Sequence, residues 1–258
     1  MDSAKLTENH YFVTGCLKMY RQFLVLLFWI LPLSTWADQH LKMDTSEVTI
    51  AEFSEFADAV GLLTKAEKEG GMVYESGWVT KKGWNWRTPY GVPSPPDEPA
   101  VHITFDEASA FCRWKKKRLP SRKEWIDAAY TENRENPTDG FQKGKTYRFP
   151  TGDSPEGANC LKECQIEAFP PPGKKNYSTK LRRGAGHARV ATTKKGVNGL
   201  YDMGANVWEW AFIGQGPQQG TMGGSWWYGA RQMEADYGAT KPRDMAVVYI
   251  GFRCIDEK

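Results

Sequence analysis

The sequence lacks several features that would place it in large functional classes. It has four histidines in 258 residues, and none forms an HxH or HExxH pattern, so the usual zinc and non-haem iron motifs are missing. Its net charge of +3 is too small for the electrostatic footprint of a nucleic-acid-binding domain. It has no internal repeat, heptad run or low-complexity tract. We therefore expect one globular domain with no nucleic-acid partner.

No apolar run is long enough to span a bilayer comfortably. The run FLVLLFWILPL covers residues 23–33, follows Lys18 and Arg21, and precedes small residues at −3 and −1 of a cut after Ala37. This pattern predicts a secretory signal peptide with a long leader over residues 1–37, and a domain over residues 38–258 without a stable membrane span. Met19 is an alternative start. We expect an exported protein, located in a bacterial periplasm.

Four cysteines follow the predicted cleavage point: Cys112, Cys160, Cys164 and Cys254. An even number in an exported chain indicates disulfides. Spacing alone allows three connectivities. Cys160 and Cys164 could pair locally or bind a metal, although the lack of a nearby histidine argues against zinc.

Three helix starts carry a hydroxyl residue followed three positions later by Glu, the pattern of a capping box. They are Thr49 with Glu52, Thr104 with Glu107, and Ser121 with Glu124. Apolar residues recur at helical spacing after the first, and Gly61 follows as a stop signal. Residues 131–199 are polar and aperiodic, which indicates loops.

Three segments together resemble the formylglycine-generating-enzyme family, also called the sulfatase-modifying-factor domain. They are residues 47–53, residues 99–129, and GLYDMGANVWEW at 199–210 followed by Gly-Gly-Ser-Trp at 223–226 and Gly-Phe-Arg-Cys at 251–254. The resemblance implies an α+β fold that is C-type-lectin-like, loop-rich and low in regular secondary structure. It also implies a bridge between Cys112 and Cys254, which leaves Cys160 and Cys164 as a second pair.

The reaction centre of the family is altered in this sequence. Members that convert a substrate cysteine to formylglycine bind copper with two cysteines five positions apart, and Tyr228 and Met233 stand at those positions here. Because a phenol and a thioether do not replace thiolates for Cu(I), the usual copper chemistry is not expected. Any other redox metal stays unassigned.

The same stretch carries aromatic residues and one arginine, which suit a flat or anionic ligand. The catalytic candidates are Tyr228, Arg231 and Ser225, and the substrate-binding candidates are Trp226, Trp227 and Met233. An alternative is that Trp226 and Trp227 alternate on a strand, one facing the core and the other packing under a loop.

By the same resemblance, residues 202–209 match a loop that wraps calcium in relatives. The implied ligands are the side chains of Asp202 and Glu209 and the carbonyls of Ala205 and Val207. Such hard oxygen donors suit a structural Ca²⁺. Alternatively, the two carboxylates are hydrogen-bonded anchors of a turn.

Two functions remain open from the sequence. One is oxidative maturation of a peptide or small-molecule substrate of the siderophore type, without the copper–cysteine centre. The other is a non-catalytic module that binds a ligand or protein on the same lectin-like fold. The oligomeric state is not predicted.

Overall fold

Four α-helices lie between residues 50 and 130 of the described chain. The computed structural model describes residues 42–164 and 186–257, and the predicted signal peptide lies outside these ranges. The helices are α1 (Ile50–Val60), α2 (Lys65–Glu69), α3 (Phe105–Trp114) and α4 (Arg122–Tyr130), and two 3₁₀ turns follow at Val197–Gly199 and Ala230–Met233.

All three predicted helix starts are confirmed. Thr49, Thr104 and Ser121 each form a complete capping box with the predicted glutamate, and Gly61 ends α1 in the left-handed conformation with φ 64°. A fourth capping box, between Thr64 and Glu67, starts α2. The sequence interpretation missed it because a five-residue helix is too short to show apolar periodicity.

The strands form three small sheets. A hairpin pairs β1 (Gly71–Tyr74) with β2 (Trp78–Lys81), and β3 (Lys117–Arg118) pairs with β8 (Ile255–Asp256) near the C-terminus. The largest sheet has the order β6-β5-β4-β7, from β6 (Ala239–Pro242), β5 (Gln218–Met222), β4 (Trp208–Ala211) and β7 (Ile250–Gly251). Only the β4–β7 pairing in this sheet is parallel.

An aromatic core joins the helices to this sheet. The Phe53 ring of α1 stacks on Phe111 of α3 at 5.9 Å, and Phe252, which follows β7, packs edge-on against Phe111 at 5.4 Å. Beside these rings, a disulfide joins Cys112 to Cys254, as the family resemblance implies. A second disulfide joins Cys160 to Cys164.

Long stretches of the chain are irregular. Residues 131–164 and 186–196 carry no helix or longer strand, only isolated bridges and turns, so the prediction of a loop-rich mixture of helix and sheet is confirmed. Within the ranges that the structure describes, no helix has the length and apolar character needed to cross a membrane.

Candidate functional site

Tyr228 lies half-buried at the end of a turn that begins at Ser225, whose carbonyl accepts a hydrogen bond from the Tyr228 N–H at 3.0 Å. Its ring packs edge-on against Trp208 at 5.7 Å and against Tyr249 at 6.0 Å. Its own carbonyl accepts from the N–H of Leu161. The residue at the altered reaction centre is therefore held by aromatic packing and by its backbone.

Trp226 and Trp227 are both core residues. Their side chains are 0% and 2% exposed, and their ring centroids lie 5.0 Å apart. Neither belongs to a strand, because β5 ends at Met222. The predicted substrate-binding role is therefore corrected: burial leaves no face of either indole open to a ligand.

The other predicted pocket residues are also engaged elsewhere. Arg231 forms a two-pronged ion pair with Asp236 at 2.7 and 3.0 Å. Met233 is fully buried, with its sulfur 3.5 Å from that of Cys164. The buried Ser225 hydroxyl accepts from the Trp227 N–H at 3.3 Å. Met233 and Ser225 are buried in the core, whereas the Arg231 guanidinium also lies over the Tyr237 ring, 5.4 Å from its centroid. The catalytic role of these residues stays a prediction.

Two further aromatic residues, Trp78 and Tyr237, each lie against a buried ring that Tyr228 also contacts. Trp78 of β2 is 45% exposed and lies 6.4 Å from the Tyr249 ring, and the half-buried Tyr237 lies 6.1 Å from Trp208. We call Trp78, Tyr228 and Tyr237, over buried Trp208 and Tyr249, the aromatic surface.

The sequence interpretation missed Trp78 and Tyr237. A usable signal was the Ser76-Gly77 turn between Tyr74 and Trp78, which is typical of a hairpin that presents paired aromatic residues. The rings of Tyr74 and Trp78 do pack edge-on, with their centroids 5.4 Å apart. No comparable local signal exists for Tyr237.

The predicted calcium loop contains a buried charge cluster. Glu209 accepts hydrogen bonds from Arg253 Nε and Nη2 and from Trp125 Nε1 at 2.7–3.0 Å, through both carboxylate oxygens. Asp202 accepts from the Ala191 N–H at 2.7 Å and from the Thr193 hydroxyl at 2.5 Å. Both acids therefore anchor their loops by hydrogen bonds, which does not by itself test the calcium prediction.

A third carboxylate, Glu47, belongs to this cluster. It accepts from the Asn206 side chain at 2.7 Å and from the Val207 N–H at 3.2 Å. Burial, with the charges of Asp202 and Glu209, holds the Glu47 pKa well above its usual range. Burial also raises the pKa of Asp202.

The copper ligands of the family are missing, whereas the calcium ligands that the resemblance implies are present. Asp202 and Glu209 accept protein donors through their carboxylate oxygens, and calcium binding there stays a prediction. For copper, Tyr228 offers a phenol and Met233 a buried thioether, which do not replace two thiolates. In the described ranges, no three His, Cys, Asp or Glu side chains are grouped to hold a metal ion. We derive no step through either metal.

His102 is a buried structural histidine next to the hairpin. Its Nε2 lies 2.9 Å from the carbonyl of Pro89, and its backbone has a positive φ of 58°. Burial lowers its pKa from 6.5 to about 4. The neutral ring is therefore the form that the folded protein holds.

The lowered pKa of His102 predicts that the folded protein loses stability in acid. A folded-state pKa below the unfolded value contributes stability above pH 6.5 that is lost as the pH falls to about 4; the shift corresponds to about 3 kcal/mol. His102→Asn, which tolerates positive φ, should lower stability at neutral pH but flatten the decline across this window. Urea unfolding at several pH values measures both slopes, and equal slopes would contradict the assignment.

The sequence is similar to a known protein family and to several of its members. The chain matches the sulfatase-modifying factor enzyme 1-like domain over residues 14–258. It is 31% identical to the formylglycine-generating enzyme of Bos taurus over 201 residues, which cover 65% of this chain and 47% of that protein. It is 29% identical to the inactive C-alpha-formylglycine-generating enzyme 2 of Mus musculus over 199 residues, 66% of this chain and 54% of that protein.

Among solved structures, PvdO from Pseudomonas aeruginosa is similar with a TM-score of 0.56 at 16% identity, covering 84% of this chain and 80% of that one. This similarity agrees with the predicted fold. The chain spans about half the length of the two curated relatives described above. Because the family match extends from residue 14 to the last residue, the chain belongs to the sulfatase-modifying factor enzyme 1-like family, that of the formylglycine-generating enzymes.

Proposed function

We propose that this protein is an exported, periplasmic enzyme of oxidative maturation that acts on a peptide or small-molecule substrate of the siderophore type. Family membership supports oxidation, because formylglycine is an oxidised form of cysteine and a relative carries that activity in its name. The chain keeps the Gly-Gly-Ser-Trp segment that precedes the reaction centre in the family. The copper–cysteine centre is not part of the proposal, and the redox metal stays unassigned.

The observation that carries the proposal is the aromatic surface at Tyr228. Exposed Trp78 and half-buried Tyr228 and Tyr237 offer ring faces and edges to a planar substrate group, and stacking of that kind contributes about 0.5–1.5 kcal/mol per pair. Buried Trp208 and Tyr249 hold these rings in place from below. The surface therefore orients a substrate at the position of the family's reaction centre.

The test combines oxygen uptake with metal analysis of the purified mature protein. Phenol-bearing siderophore peptides are offered as substrates, and oxygen consumption is measured with copper, iron and calcium contents. We expect oxygen uptake that depends on the peptide. No uptake with any peptide, in a folded protein that holds calcium alone, would overturn the proposal.

Substitutions test the role of the aromatic surface. Trp78→Ala and Tyr228→Leu should each raise KM by up to about tenfold, the loss of one stacking contact. Trp114→Ala is the matched control, because Trp114 is also exposed, at 39%, but packs on Phe56 and Phe111 instead. Equal effects of Trp78→Ala and Trp114→Ala would contradict substrate binding at the aromatic surface.

A non-catalytic binding module is the second candidate. It is favoured by the engagement of Ser225, Arg231 and Met233 in hydrogen bonds, ion pairs and core packing, and by a relative that is named inactive. Calorimetric binding of the same peptides without oxygen uptake would favour this function, with Trp78→Ala weakening the binding.

A further inference from the structure

Three buried side chains form a hydrogen-bonded row in the core. His187 Nε2 lies 2.9 Å from Glu98 Oε2, and His187 Nδ1 lies 2.8 Å from the Tyr90 hydroxyl. All three side chains are at most 1% exposed. If Glu98 is a carboxylate it only accepts, in which case His187 Nε2 donates to it and Nδ1 of the neutral ring accepts the Tyr90 O–H. Tyr90 thus points its proton at a base that a carboxylate orients.

A continuous path of aromatic rings leads from Tyr90 to the protein surface. The ring centroids are separated by 6.2 Å from Tyr90 to Trp226, 5.0 Å from Trp226 to Trp227, and 5.7 Å from Trp227 to Tyr249. Tyr249 in turn lies 6.4 Å from exposed Trp78. The rings between the two ends are buried. Such short separations suit transfer of single electrons from ring to ring.

We propose that Tyr90 is a redox-active tyrosine, oxidised by one electron along the path Trp226, Trp227, Tyr249 and Trp78, with His187 as its proton acceptor. This one-electron activity goes beyond the proposed function and does not depend on it. The oxidant is a diffusible high-potential one-electron acceptor that meets the path at Trp78. The path would carry oxidising equivalents from the surface to a protected residue in the core.

The oxidation of Tyr90 moves one electron and one proton. The acceptor takes one electron from Trp78. Trp227 refills Trp78 across the Tyr249 ring, which bridges the two indoles and keeps its own electrons and proton, and Trp226 then refills Trp227. Tyr90 then donates one electron to the oxidised Trp226, while the hydroxyl proton of Tyr90 moves to His187 Nδ1. The products are a reduced acceptor, neutral rings along the path, a neutral Tyr90 radical, and an imidazolium whose charge the Glu98 carboxylate balances.

Two features of the core separate Tyr90 from an ordinary buried tyrosine. Among the residues that the structure describes, none accepts a hydrogen bond from the Trp226 Nε1–H, so an oxidised Trp226 keeps its proton and is restored by an electron alone. Tyr130, equally buried, donates its hydroxyl to the carbonyl of Met233 at 2.7 Å. A carbonyl does not take up the proton that tyrosine oxidation releases, whereas an imidazole does.

The experiment oxidises the whole mature protein photochemically. A laser flash with dissolved tris(bipyridine)ruthenium(II) and an irreversible electron acceptor generates the one-electron oxidant, and transient absorption and electron paramagnetic resonance follow the radicals. We expect a long-lived neutral tyrosyl radical that Tyr90→Phe abolishes and Tyr130→Phe leaves in place. Trp227→Phe should slow its formation by interrupting the path. An unchanged long-lived radical in folded Tyr90→Phe overturns the proposal.

The role of His187 as proton acceptor is tested separately, by a measurement on the wild-type protein. In protein labelled with ¹⁵N-histidine, electron–nuclear double resonance of the wild-type radical should show one coupled nitrogen and one exchangeable proton shared with an imidazolium. His187→Gln should shorten the lifetime of the radical. Absence of the nitrogen coupling in the wild-type radical would overturn the role of His187 as proton acceptor.

Discussion

Replacing Cys112 and Cys254 together with serine should lower the free energy of unfolding by about 5 kcal/mol, the chain-entropy value for a bridge between residues 142 positions apart. The bridge ties α3 to the segment that follows β7. Without the bridge, the residues between Cys112 and Cys254 regain their conformational entropy in the unfolded chain. Urea unfolding of the double variant and of the oxidised wild type gives the difference directly.

The second disulfide is the matched control. Cys160 and Cys164 are separated by only four positions, and the same relation gives about 2 kcal/mol for so short a loop. The double serine variant at these positions should therefore lose less than half as much stability. Equal losses from the two double variants would show that native-state packing, rather than loop closure, dominates both effects.

Arg253→Met should destabilise the fold by about 3–5 kcal/mol, the range for removing one partner of a buried ion pair. Arg253 is fully buried and donates to Glu209, with further hydrogen bonds to the carbonyls of Asp44 and Tyr201 at 3.0 and 2.7 Å. The substitution leaves the Glu209 carboxylate buried without its cation. Thermal and urea unfolding at neutral pH measure the loss.

A second substitution identifies the cause of this loss. Arg253→Met with Glu209→Met should recover part of the loss, because the pair is then removed whole. A double variant that recovers none of the loss would indicate lost packing instead.

Exposed ion pairs provide the contrast. Arg243 pairs with Asp106 at the surface, where water screens the attraction, so Arg243→Met should change stability little. A loss as large as that of Arg253→Met would contradict the importance of burial.

The parts of the fold that follow from local chemistry were predictable. The capping boxes at Thr49, Thr104 and Ser121 each join groups three positions apart, so the sequence contains both partners of every bond. The cysteine pairing followed from family resemblance, because spacing alone left three connectivities open. Tyr228 and Met233 were identified in the same way, by position.

The candidate site was less predictable. Tryptophans at neighbouring positions suggested a ligand-binding wall, but Trp226 and Trp227 both pack in the core. The ring faces that remain open come from other segments, such as Trp78 in the hairpin. Arg231 suggested anion binding, yet its partner is Asp236, five residues further on. Composition shows which side chains are available, whereas burial decides which of them are open to a ligand.

The sequence by itself determined the helix starts, the family and the loss of the two family cysteines, because each depends on residues close together in the chain or on a position in a motif. Only the tertiary structure decided which side chains meet. Tyr90 and His187, 97 residues apart, are brought together by the fold, as are Glu47 and Asn206, 159 residues apart. Such contacts depend on the packing of the whole chain, since no local spacing specifies them.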